Sequence, residues 1–244
     1  LIIDEKDCVG LLSPFFLNHK MAVEGCGGTV IEIMPDDNFN YSYGAITKAI
    51  EKYALRAIVI VNPSNPTGKV FTRDELEMLL RICKENEIWI ICDEVYRNFV
   101  YEPTLMVSLN SLAGSSEQSM IIGSFSKEFG MTGWRVGWLK YPKSVISNLL
   151  KIQDYSIICS PHFSQIFALK SLEYAPNWTG SHLNDFLKRK KELVDLLKNS
   201  GLFQVYDGNG AFFIWFRPGF EVDSDNEVFN LMRTEGVCMM PGII

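Results

Sequence analysis

Histidine is scarce in this chain, with three among 244 residues, at 19, 162 and 182. Their spacing fits no metal-ligand pattern, and no Ser-His-Asp arrangement is indicated. The six cysteines, at 8, 26, 83, 92, 159 and 238, form no C-x-x-C pair. In a chain of this size they read as reduced, mostly buried thiols, so an intracellular, cytoplasmic home is expected. No apolar stretch is long enough to span a bilayer, and no membrane partner is expected. No secretory or transit segment opens the sequence. Without one, the two N-x-S/T sequons at Asn40 and Asn177 read as chance matches. Basic residues are also in short supply. The net charge of -6 gives no electrostatic footprint for a nucleic acid. The run KRKKE at 188–192 is expected to be the solvated face of a helix. Gly25, Gly27 and Gly28 do not make G-x-G-x-x-G, and no Walker motif is present, so neither phosphate loop applies.

What is present is an ordinary globular composition, 47% hydrophobic and 21% charged. Short β-branched apolar runs have the length of buried parallel strands: 30–33, 57–61, 88–92, 120–123 and 136–139. Between two of them, TRDELEMLLRICKENE (72–87) predicts a helix. Thr72 and Glu75 have capping-box spacing, and Leu76, Leu79, Leu80 and Cys83 share a face. A weaker helix is expected over 41–55. This alternation predicts an α/β fold with a mostly parallel sheet, whose ligands bind outside the carboxyl ends of the strands. After Pro142 the pattern turns helical, over 143–156, 161–175 and 180–199. Two apolar runs around DGNG (207–210) then suggest a hairpin. A large domain is therefore expected over 1–176 and a partial, small α+β C-terminal domain over 177–244. The chain lacks an initiator Met and both its ends fall inside apolar runs, so it is expected to be a piece of a longer protein.

Four segments carry unusual polar or aromatic residues, three of them at expected strand ends. VNPSNPTGKV (61–70) is a stiff turn. Asn62 and Ser64 read as plain turn residues there, whereas Asn65 is free to aim at a ligand. In IICDEVYRNFVY (90–101), a carboxylate just past a buried strand needs a partner or water. Asp93 is either a helix N-cap or a group reserved for a cation, with Tyr96 one helical turn away. In GSFSKEFGMTGWRVGW (123–138), Lys127 sits between a strand and a small-residue turn. A lysine there is either an ordinary solvated cation or, partly dried and near other cations, an amine nucleophile. Ser124, Ser126 and the planar fork of Arg135 suit a phosphate. LSPFFLNHK (12–20) brings Phe15, Phe16 and His19, and a lone histidine is more often structural than catalytic.

One compound needs this whole set, an aldehyde-bearing phosphate ester on a pyridine ring: pyridoxal 5'-phosphate. At these residues the chain resembles the fold-type I, class I and II aminotransferases. NPTG (65–68), DEVY (93–96) and SFSKEFGMTGWRVGW (124–138) are similar to that family's three signature blocks, in order. The resemblance covers nearly the whole chain and implies a PLP-dependent enzyme of amino-acid metabolism. It would move an amino group between an amino acid and a 2-oxo acid through a Schiff base on Lys127. The resemblance implies Asp93 as partner of the pyridinium and Asn65 and Tyr96 as ligands of the ring oxygen. Ser124, Arg135 and Ser126 would hold the phosphate. Phe16 would stack on the ring, with Phe15 as the alternative one residue away, and His19 would orient Asp93.

The family's glycine-rich phosphate loop and its N-terminal arm have no counterpart in these residues. Its arginine for the substrate carboxylate follows a Pro-Gly like Pro241–Gly242, two residues from the last one. Arg217 and Arg233 lack the matching context. The resemblance also implies a homodimer for the parent protein. The same scaffold serves C–S lyases, decarboxylases and cyclising synthases, and a non-catalytic fragment of this fold is a further alternative.

Overall fold

In the computed structural model, residues 2–112 and 118–242 are described. Leu1, Ile243 and Ile244, from the two apolar ends, lie outside them. Side-chain alternation organises the main sheet. In β3 (Leu55–Val61), Ile58 and Ile60 face one hydrophobic cluster while Ala57 and Val59 face another. A strand apolar on both faces belongs in the middle of a covered parallel sheet. Around it lie β1 (Cys8–Leu12), β2 (Thr29–Ile33), β4 (Trp89–Asp93), β5 (Ser119–Ser124) and β6 (Gly137–Lys140), in the order β2-β1-β3-β4-β5-β6. The first five strands pair in parallel. The fold is thus α/β with a mostly parallel sheet.

The larger cluster is covered by helices α2 (Tyr43–Tyr53) and α3 (Arg73–Glu85), through Ile46, Ile50, Leu76, Leu79 and Ile82. Helix α3 starts where the sequence places it. Thr72 Oγ1 accepts from the Glu75 amide at 3.3 Å, and Glu75 Oε2 accepts from the Thr72 amide at 2.8 Å. The opposite face is covered by Phe15 and by Val23 of α1 (Leu17–Gly25).

Three expectations need correction. The run 136–139 was expected among the parallel strands, but β6 pairs antiparallel to β5 and most of it is exposed. A parallel return needs a crossover of a dozen or more residues, usually helical. Residues 125–136 hold only α4 (Phe125–Glu128) and a 3-10 turn (Thr132–Trp134), so the chain turns back at the same sheet edge. The cysteines are not mostly buried. Cys83 and Cys92 are, whereas Cys26, Cys159 and Cys238 are exposed, and all six are free thiols. In KRKKE, Lys190 is buried while its basic neighbours are exposed, because it lies on the packed side of its helix.

Helices α5 (Ile146–Ser156), α6 (His162–Tyr174) and α7 (Trp178–Asn199) follow. The expected hairpin is the antiparallel pair β7 (Phe203–Tyr206) and β8 (Trp215–Pro218), a separate two-stranded sheet, followed by α8 (Ser224–Thr234). No helix among the described residues is long and apolar enough to cross a membrane.

Candidate active site

Strands β1, β3, β4 and β5 are neighbours and run the same way, so the segments leaving them emerge side by side along one edge. Those segments carry Phe16 and His19, Asn65, Asp93 and Tyr96, and Ser124 and Lys127. The antiparallel return of β6 brings Arg135 to that edge too. Gly137 pairs with Ser124, which puts Arg135 two residues before a residue opposite the end of β5. A parallel β6 would have left Arg135 at the far edge.

After β1, Phe15 is 5% exposed within the core, whereas Phe16 is 37% exposed. The ring of Phe16 meets that of His19 edge-on at 5.7 Å, one turn into α1. His19 Nε2 is buried and 3.3 Å from Asp93 Oδ2, close but not aligned for a hydrogen bond. Asp93 is the last residue of β4 and its other oxygen accepts from the Val95 amide at 3.0 Å. The residues that follow form a turn rather than a helix, so Asp93 is not a helix cap. The neighbouring Glu94 is the truly buried carboxylate, 1% exposed. It accepts from Ser108 Oγ at 2.8 and 2.9 Å and from the Leu109 amide at 2.8 Å. Burial raises its pKa above the ordinary carboxylate value, against those hydrogen bonds.

Tyr96 packs against Phe99, Phe212 and Phe213. Burial, with a smaller contribution from the Asp93 charge, pushes its phenol up to about 12. A hydrogen bond from the Asn65 side chain works the other way. Asn65 and Tyr96 thus lie close together. Asn62, by contrast, is fully buried and ties its own turn, accepting from the Phe71 amide at 3.0 Å and donating to Val107 O at 3.2 Å.

Ser124 caps the short helix α4, its hydroxyl accepting from the Ser126 amide at 3.1 Å. Thr132 Oγ1 donates to Ser126 O, also at 3.1 Å. Arg135 has a left-handed backbone, φ 52°, and its side chain is exposed, donating to Thr132 O at 3.0 Å. The turn is thereby brought beside Ser124, but the guanidinium folds back onto its own turn. Lys127 is half-buried, and among the described residues it has no carboxylate partner. Its Nζ lies 5.9 Å from the centre of the Phe212 ring. Phe212 was not foreseen. The only signal for it was an aromatic pair, Phe212–Phe213, directly after the glycine-rich turn. Lys69 was also missed. It is buried beside the Asn65 turn, paired with Glu75 at 2.8 Å and donating to Asn40 Oδ1 at 2.9 Å.

A half-buried amine with no anionic partner, a carboxylate with one oxygen left toward a histidine, and a Tyr–Asn pair thus share an edge with a hydroxyl-capped turn. That donor set suits a ligand bearing an aldehyde, a basic ring nitrogen, a ring oxygen and a phosphate.

The family model for aminotransferase class I and II matches residues 1–244. The aromatic-amino-acid aminotransferase 2 of Thermococcus litoralis is 32% identical, over 98% of this chain and 62% of its own length. The aspartate aminotransferase of Pyrococcus abyssi is 31% identical, over 94% of this chain and 60% of its own. A solved structure of a Thermus thermophilus aspartate aminotransferase single mutant superposes with a TM-score of 0.91 at 27% identity, covering 99% of this chain and 63% of that one. The chain belongs to the class I and II aminotransferases. It spans about 62% of the length of the curated relatives it matches.

Proposed function

We propose that the protein is a PLP-dependent aminotransferase that moves an amino group between an amino acid and a 2-oxo acid. The observation that carries this is the meeting of Asn65, Asp93, Ser124 and Lys127 at the carboxyl ends of adjacent parallel strands. The relatives, named as aromatic-amino-acid and aspartate aminotransferases, support the same reading.

Bound there, pyridoxal phosphate would supply an electron sink for the substrate's Cα. The chain's own residues would do the rest. Lys127 Nζ would hold the aldehyde carbon, and as a free amine it would accept the Cα proton and return it, as general base and then acid. Asp93, held by the Val95 amide with His19 beside it, would keep a proton on the ring nitrogen. Asn65 and Tyr96 would donate to the ring oxygen, and Phe16 would stack on the ring. Ser124, Ser126 and Arg135 would hold the phosphate, Arg135 after swinging from Thr132. An amino acid and a 2-oxo acid as substrates, a homodimeric parent and a domain division near residue 176 belong to the same proposal. So does a cytoplasmic home, which suits the exposed free thiols.

The test is the visible spectrum of the full-length protein with pyridoxal phosphate, before and after borohydride, beside Lys127→Ala. A band that borohydride fixes onto the Lys127 peptide, and keto-acid formation that requires an added 2-oxo acid, are expected. Wild-type turnover in Lys127→Ala would refute the role of Lys127. Keto acid plus ammonia without an acceptor would refute transamination in favour of a lyase.

A further inference from the structure

Lys190 is a buried cation that this mechanism leaves unused. It lies on α7 with its side chain 5% exposed. Its Nζ donates to Gly208 O, stands 3.4 Å from Asp207 Oδ1 and lies 5.2 Å from the centre of the Tyr101 ring. Burial lowers its pKa while Asp207 works to raise it. A lysine is rarely kept in such a place without a task, because its ammonium loses hydration there.

The group it holds is a turn, residues 207–211. That turn is stitched to its surroundings by three backbone bonds: Gly210 N to Gly68 O at 2.8 Å, Tyr101 N to Asn209 O at 2.9 Å, and Ala211 N to Phe99 O at 2.7 Å. None of these engages Gly208, whose carbonyl is left to Lys190. On its other side the turn presses on the segment that carries Asn65. A Cβ at Gly208 would collide with Thr67 O and the Gly68 carbonyl, and one at Gly210 with Pro63 and Val70. Directly after the turn comes Phe212, 5.4 Å from Tyr96 and 5.9 Å from Lys127 Nζ.

We propose that Lys190 is a positioning residue of the active site: through Gly208 it holds the 207–211 turn against the Asn65 turn, and so sets where Phe212 lies beside Lys127. This rests on the reading of Asn65 and Lys127 as cofactor-binding residues. Lys190 itself touches none of the reacting atoms.

The test uses the full-length protein and Lys190→Met, which keeps the apolar stem and removes the donor. Hydrogen exchange, measured without cofactor, is expected to be about tenfold faster at the amides of Gly68, Gly210 and Ala211, the size of one lost charge-assisted hydrogen bond. The amides of α3 and β4 should be unchanged. With pyridoxal phosphate added, the dissociation constant should rise about tenfold by the same measure. The pH midpoint of the visible band should also move, which a uniform loss of stability would not cause. Unchanged exchange at the three amides would overturn the proposal. So would faster exchange with an unchanged dissociation constant and band. Failure of the wild-type protein to bind pyridoxal phosphate would overturn the functional reading as well, and would show before any variant was made. Should Lys190→Met not fold, Lys190→Arg takes its place. Its planar fork cannot stand where the ammonium does without moving Gly208, and the same readouts decide.

Discussion

Replacing Gly68 by alanine perturbs the turn that carries Asn65 at one definable point. Gly68 has φ +73°, a region that an L side chain enters at a cost of about 1–2 kcal/mol. The new Cβ would lie 2.5 Å from Gly210 O. That oxygen belongs to backbone, and the same residue's amide donates to Gly68 O at 2.8 Å, so relief requires moving the two turns apart. Overpacking of this kind costs about 1–3 kcal/mol. The two effects together come to roughly 2–5 kcal/mol, or a fall in melting temperature of roughly 4–20 °C for a protein of this size. Circular-dichroism melting of the 244-residue chain, without cofactor, measures this cost. A pyridoxal phosphate titration measures the displacement of Asn65, which moves with the turn, and weaker binding is expected. Gly44→Ala is the control. Nothing lies within 4 Å of its would-be Cβ, and it sits in α2, where alanine is neutral or stabilising by up to about 1 kcal/mol. A Gly68→Ala protein that melts with wild type and binds the cofactor equally well would refute this account of the turn.

Glu94→Gln tests the buried carboxylate. Because the folded-state pKa of Glu94 is raised, the native state binds its proton more tightly than the unfolded chain, and this residue's contribution grows as pH falls toward its ordinary value. The glutamine variant should therefore gain on wild type at neutral pH, with the gap closing on acidification. A gap that widens in acid would contradict the sign. Thr72→Ala removes one half of the α3 capping box and should cost about 1 kcal/mol, seen as a melting shift of about 2–4 °C. No shift would mean the cap is replaced by water. Asp93→Asn should leave the fold intact and cut transamination by orders of magnitude, since an amide cannot hold a proton on a pyridine nitrogen. Activity within a few-fold of wild type would remove Asp93 from its proposed role.

The central strands were legible because burial writes itself as continuous apolar runs, rich in isoleucine and valine in β3 and in isoleucine in β4. Strand β1 was not, since CVGLL is short and broken by a glycine. The orientation of β6 could not be read from its own residues, because it depends on how little helix separates it from β5. The polar residues at the strand ends were visible as chemistry out of place, which is why Asn65, Asp93 and Lys127 could be singled out. Their partners from distant segments were hidden. Lys190 looked solvated because a run of like charges gives no sign of which member points inward. Phe212 reaches Lys127 only through tertiary packing.

The backward turn at β6 also bears on how the site would assemble. Ser124, Lys127 and Arg135 belong to one short stretch whose ends close on each other without a crossover, so bringing them together requires little loop-closure entropy. Asn65 and Asp93 meet only after α3 has packed and two parallel strands have paired across it, which is a slower, longer-range event. The Ser124–Arg135 part of the candidate site is thus expected to form locally and the Asn65–Asp93 part later. Destabilising changes within 125–136 are expected to slow refolding, and those in the 63–70 turn chiefly to speed unfolding.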